Sequence, residues 1–190
     1  MSQKLREQIE TITTLTDKEF EYILSHFTYR KFLKNQYVVQ EGDYVKYDYF
    51  VINGLLKSWH IDGKGGTHIL MFATENWWIS DSEAFHNQTQ ATLNIDCFED
   101  SETLFISLEN REKLCADMQK MQYFFRKKTT AGYVASQKRI LSLISFNARQ
   151  RYEYFTQLYP DLLQRVPKNL IASYLGITRE TLSRLTSSQP

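Results

Sequence analysis

The chain has 190 residues, 42% of them hydrophobic and 14% aromatic, with only three Pro and seven Gly, which excludes a disordered, collagenous or low-complexity protein. Its formal net charge of +1 hides an asymmetry: residues 1–117 sum to −8 and residues 118–190 to +9. An acidic front and a basic back indicate two units with different partners, the basic one suited to polyanions because neutralised phosphates release counterions.

Cys97 and Cys115 show no CxxC spacing, so a four-thiolate zinc or iron–sulfur site within one chain is excluded and both read as free thiols. The N-terminus MSQKLREQIE is polar, and no apolar run approaches the ~20 residues that span a bilayer. The expectation is a cytoplasmic protein with no membrane partner.

Residues 2–26 read as helices. Thr16-Asp17-Lys18-Glu19 is a capping-box pattern, and Phe20, Ile23, Leu24 and Phe27 follow at helical spacing. From Tyr29 to Leu108 the period changes to short runs rich in Val, Ile, Tyr, Phe and Trp, punctuated by Glu41-Gly42-Asp43, Asn53-Gly54 and Asp62-Gly63-Lys64-Gly65-Gly66. Six to eight strands at this spacing predict an antiparallel roll. Trp77 and Trp78, beside Asp81 and Glu83, either line a small-molecule pocket or pack in the core.

After Ser107 the helical period returns. Leu114, Met118, Met121, Phe125, Lys128, Gly132 and Ala135 recur at steps of four and three, the seam of a helix pair. The alternative is one amphipathic helix capping its own domain. Residues 137–147 and 152–163 read as two further helices. The expected division is a sensor roll over 1–117, a dimerisation helix over 118–136 and a DNA-binding unit over 137–190.

The stretch 167–185, PKNLIASYLGITRETLSRL, carries the functional signal. Leu170, Ile171, Tyr174 and Leu175 give a short first helix its apolar face. Gly176 allows the left-handed residue that ends it, Ile177 plugs the turn and Thr178 caps a second helix. This order is a helix-turn-helix pattern. The exposed face of the second helix would carry Arg179, Glu180, Ser183 and Arg184. Each arginine can donate two hydrogen bonds to a guanine, and Glu180 can accept from a cytosine amino group. Lys168, with Thr178 and Thr181, are candidate phosphate contacts, flanked by Arg165 and Arg139.

Thr178-Arg179-Glu180-Thr181-Leu182-Ser183-Arg184 resembles the recognition helix of the Crp/Fnr family of transcription regulators, and Val39-Gln40-Glu41-Gly42-Asp43 and Tyr49-Phe50-Val51-Ile52-Asn53-Gly54 resemble the glycine turns of its roll. The resemblance implies an α+β fold: an antiparallel, cyclic nucleotide-binding-like double-stranded jelly roll, a long dimerisation helix through Met118, Met121, Phe125 and Gly132, and a C-terminal helix-turn-helix. It implies a homodimer on double-stranded DNA, with RNA polymerase as a possible partner. It assigns base reading to Arg179, Glu180 and Arg184, and a phosphate contact to Lys168.

Two departures follow. In nucleotide-binding members a Gly-Glu pair and a later Arg-Ser hold the cyclic phosphate and ribose; here those sites fall on Ser80-Asp81 and Ala91-Thr92. Without the arginine a buried phosphate loses its charge-assisted partner, at roughly 1.5–3 kcal/mol, so cyclic AMP is not the expected ligand. An unknown effector is left to a pocket near Trp77, Trp78, Asp81, Ala91 and Thr92. Six residues follow Arg184, too few for the two-strand wing of many relatives.

There is no GxSxG, P-loop, GxGxxG or HExxH, and His26, His60, His68 and His86 are scattered, so neither an enzyme nor a metal or cofactor site is expected. The reading from sequence is a DNA-binding regulator. The alternative is a signal-sensing or protein-interaction module whose C-terminal end no longer reads DNA.

Overall fold

A computed structural model describes residues 2–187. The described residues divide into two compact units, one of residues 2–60 and 71–129, the other of residues 61–70 and 130–187.

The first unit opens with α1 (Gln3–Glu10) and α2 (Asp17–Leu24). The expected capping box forms: Thr16 accepts from the Glu19 backbone N–H while the Glu19 carboxylate accepts from that of Thr16. Eight strands follow: β1 (Thr28–Phe32), β2 (Tyr37–Val39), β3 (Tyr47–Asn53), β4 (Leu56–Ile61), β5 (Thr67–Ala73), β6 (Trp78–Ile79), β7 (Asn94–Cys97) and β8 (Ser101–Ser107). They form two four-stranded sheets, in the orders β1-β8-β3-β6 and β2-β7-β4-β5. The pairings β1–β8, β3–β8, β3–β6, β2–β7 and β4–β7 are antiparallel. This is the roll expected from the turn spacing. A short helix α3 (Ser82–Asn87) interrupts the strands between β6 and β7.

Strand β3 is buried on both faces. Tyr49 and Val51 join Phe32, Val39, Leu56, Ile95 and Cys97 between the sheets. Phe50 and Ile52 point the other way, into a second core with Leu5, Ile9, Ile23, Leu104, Ile106 and Leu114. Alternate side chains of a strand leave on opposite faces, so four consecutive apolar residues serve two cores.

Helix α4 (Leu108–Asp117) leads into α5 (Gln119–Ser145), a single helix of 27 residues with no break at 136/137. Its first turns complete the second core: Met121, Phe124 and Phe125 are buried there and Met118 packs against it. This corrects the expected dimer seam. Met121 and Phe125 are covered by their own unit and have no surface left to offer a partner, whereas Gly132 is exposed. The apolar surface of α5 lies further on, at Tyr133, Val134, Ile140, Leu141 and Ile144, the last 76% exposed.

In the second unit, α6 (Ala148–Leu158), α7 (Leu162–Arg165), α8 (Lys168–Leu175) and α9 (Arg179–Ser187) follow α5. The helix expected over 152–163 is thus two helices: α6 begins earlier, and the chain leaves it at Tyr159, before Pro160. Asn147 and Gln150 form a capping box that starts α6, inside what reads in the sequence as a polar break. Among the described residues no helix is long and apolar enough to cross a membrane.

The roll depends on a close approach at Gly54, which has φ +99°; a Cβ there would lie 2.3 Å from Ser101 Oγ and 2.6 Å from the Asp100 carbonyl oxygen. Gly54→Ala should cost about 2–4 kcal/mol, combining left-handed strain with a clash against backbone. Urea unfolding monitored by Trp fluorescence measures it, and a change under 0.5 kcal/mol (the range of an ordinary surface substitution) would contradict the geometry.

Candidate nucleic-acid interface

The helix-turn-helix is built from the residues its pattern named. Ile171, Ala172 and Leu175 of α8 and Leu182 of α9 are buried. Phe155 of α6 is buried under them, with ring centroids 5.3 Å from Tyr174 and 5.5 Å from Tyr159. Gly176 ends α8 in the left-handed region at φ 64°, its N–H closing onto the Ala172 and Ser173 carbonyls. The Ile177 N–H bonds the Ala172 carbonyl at 3.0 Å. Thr178 Oγ1 accepts from the Thr181 N–H at 3.2 Å and starts α9.

With Leu182 turned inward, the helical period presents the opposite face. Arg179, Glu180, Ser183 and Arg184 are all exposed on it. The Glu180 carboxyl is held below its ordinary value by hydrogen bonds from its own backbone N–H and the Thr178 hydroxyl, then by the charges of Arg179 and Arg184. It is an acceptor at neutral pH. Lys168 Nζ donates to Thr186 Oγ1 at 3.1 Å, tying the start of α8 to the end of α9, and is itself exposed. The Thr178 and Thr181 hydroxyls lie 3.1 Å apart. Thr178 is exposed and Thr181 half-buried.

Arg139 departs from the expected phosphate flank. Its guanidinium stacks 3.6 Å from the Tyr174 ring centroid and donates to the carbonyls of Ile69 and Tyr174 at 3.1 and 2.9 Å. Ser173 does the matching work beside it, donating to the Thr67 carbonyl at 2.7 Å and accepting from the Ile69 N–H at 3.1 Å. β5 is an edge strand, so its outward backbone groups have no neighbouring strand and α5 and α8 satisfy them with side chains. Sequence reasoning missed Ser173, because nothing local marks a helical serine as the partner of a strand edge about 100 residues earlier.

The proposed effector residues come together only in part: Asp81 and Thr92 meet, while Trp78 and Ala91 belong to different cores. Trp78 packs in the helix-side core against Phe27, Phe50 and Phe125, its indole N–H donating to Gln8 Oε1 at 2.7 Å. Ala91 lies in the other core, between the sheets. Trp77 is 36% exposed. Asp81 is 2% exposed, and its carboxylate accepts from the backbone N–H groups of Ala84 and Thr92 at 3.2 and 2.8 Å and from the Thr92 hydroxyl at 3.1 Å. Among the described residues no group of His, Cys, Asp and Glu is arranged to hold a metal ion.

Residues 29–118 match the family described as the cyclic nucleotide-binding domain. No curated protein matches the sequence. Among solved structures, FixK2 from Bradyrhizobium japonicum is similar with a TM-score of 0.72 and 19% identity, over 85% of this chain and 83% of that one. The Thermus thermophilus catabolite activator protein gives 0.60 and 20%, over 95% and 85%. The c-di-GMP-responsive global regulator CLP of Xanthomonas campestris gives 0.71 and 16%, over 90% of each chain. The match thus falls on the roll, and the chain shares the fold of these three proteins over most of its length.

Ser173→Ala removes the side-chain acceptor of the Ile69 N–H on an edge strand without touching the recognition face. Amide exchange at Ile69 should accelerate by roughly fivefold, corresponding to a bond of about 1 kcal/mol. Unchanged Ile69 protection in the variant would mean that the serine does not hold the strand.

Proposed function

We propose that this protein is a sequence-specific DNA-binding transcription regulator that acts as a homodimer in the cytoplasm and without cyclic AMP. The observation that carries the reading is the solvent-facing set Arg179, Glu180, Ser183 and Arg184 on a helix whose opposite side is anchored by Leu182. Two guanidiniums and one ionised carboxylate on a single helical face match guanine and cytosine edges in the major groove. Lys168, Thr178 and Thr181 stand at the helix ends, where phosphate contacts set register.

Dimerisation is supported by the apolar stripe of α5. Tyr133, Ile140 and Ile144 recur at helical spacing with Val134 and Leu141 beside them, and all five are exposed. A second copy of the same stripe would cover it about a two-fold axis beginning near Gly132. Such symmetry places recognition helices about one helical turn of DNA apart, roughly 34 Å, on a near-palindromic site.

Independence from cyclic AMP rests on Asp81. Where the family resemblance places the nucleotide's anion, this chain has Ala91 instead of a cation and supplies a buried carboxylate of its own. The N–H and hydroxyl of Thr92 are committed to that carboxylate. A phosphate would have to displace it or lie beside it, and two buried anions repel strongly.

The test is selection of bound duplexes from a random pool at about 150 mM salt, without effector; the expected result is an enriched palindrome with G and C at fixed positions. Arg179→Ala and Glu180→Ala should each lose about 1–3 kcal/mol of discrimination at one base-pair position. Lys168→Ala should weaken binding to all sequences and lower the salt slope by about one unit. No enrichment by a folded dimer would reject effector-free reading, and variants indistinguishable from the parent would reject the recognition helix. In calorimetry, cyclic AMP should give no saturable heat up to about 100 μM, a limit weaker than micromolar affinity; micromolar binding would overturn the role given to Asp81.

A further inference from the structure

The roll has a cavity of about 420 Å³ among β1, β2, β3 and the loop between β2 and β3, away from Asp81 and Thr92. Its charged lining is Arg30 and Lys46 against Asp43, one positive charge in excess. The Arg30 guanidinium lies 4.6 Å from the Phe32 ring centroid and has no carboxylate partner among the described residues. Tyr49, 5% exposed, also lines the cavity, and its hydroxyl has no hydrogen-bond partner among the described residues. A guanidinium with no carboxylate partner and a phenol with no protein hydrogen bond therefore line one space, both with donors to offer.

The rest of the wall is apolar and aromatic. Val38 and Val45 line it together with Tyr47 and Tyr44, the last 66% exposed. The loop bearing Tyr44 is pinned, since the Gly42 N–H bonds the Ala91 carbonyl, the Ala91 N–H the Asp43 carbonyl and the Val45 N–H the Thr89 carbonyl. The site is thus preformed rather than a gap that closes freely. Its volume is within the range of small-molecule pockets, which are mostly apolar with a few convergent polar groups.

From this geometry we infer that the roll binds a small aromatic monocarboxylate here, its carboxylate on Arg30 and the Tyr49 hydroxyl, its ring among Tyr44, Tyr47 and the valines. Burial pushes the Tyr49 phenol up to about 12, so it is a donor at neutral pH. Lys46 adds a second cation, whereas Asp43 opposes a dianion such as a phosphate monoester. The inference does not depend on DNA reading, because its test contains no DNA.

The test is calorimetry on the full chain with 1-naphthoate as probe, and with 1-naphthamide, inorganic phosphate and cyclic AMP beside it. Naphthoate should bind saturably below about 1 mM, the naphthamide roughly tenfold more weakly, and the phosphates not at all. Arg30→Gln, at an exposed position, should weaken naphthoate by roughly tenfold, and Tyr49→Phe by roughly threefold, in proteins whose thermal unfolding matches the parent. Absence of saturable naphthoate binding, equal binding of the amide, or an unchanged affinity in Arg30→Gln would each overturn the proposal. Tighter binding of either phosphate would replace it with a phosphate site.

Discussion

Strand β3 has to serve two cores at once, and much of the first unit follows from that constraint. Tyr49 and Val51 need the opposing sheet, while Phe50 and Ile52 need a cover of helices. Burying a side chain of this size is worth about 1.5–3 kcal/mol, so neither face can be left to water. Helices α1, α2 and α4 supply part of the cover, and the first turns of α5 supply the rest through Met121, Phe124 and Phe125. Trp78, on the strand beside β3, is drawn into the same core for the same reason. One strand therefore determines which part of the long helix is internal and which part keeps an unpartnered apolar stripe.

A second constraint, that buried polar groups must be paired, redistributes residues that look alike in sequence. Asp81 is nearly inaccessible and carries its own donors, so it belongs to the framework of α3 and the segment before β7. Arg139 is engaged with two carbonyls and a tyrosine ring, whereas Arg179 stands in solvent. Both arginines lie in the basic half of the chain, but only an exposed guanidinium is placed to meet a duplex. Tyr49 and Arg30 are the reverse case: neither polar end is taken up by a protein partner, and both line one cavity.

Local chemistry made much of the fold legible. Thr16 and Glu19, Gly54, Gly176 and Thr178 each act within a few residues of themselves, through caps and left-handed turns, and the structure uses each as its neighbourhood implies. The recognition face was legible for the same reason: with Leu182 inward, the 3.6-residue period leaves Arg179, Glu180, Ser183 and Arg184 outside. The helix runs through the division expected near residue 136 because Gly132 weakens a helix without ending it.

The strands, the caps and the helix-turn-helix can be read from short segments, because periodicity and turn residues act locally. Long-range packing, by contrast, turns Met121 and Phe125 into their own core, puts Trp78 and Ala91 in different cores and sets Ser173 against Ile69. It also brings Arg30 and Tyr49 to one cavity. Those facts depend on which side of a sheet each residue meets and on partners tens of residues away, and no local spacing encodes such pairings.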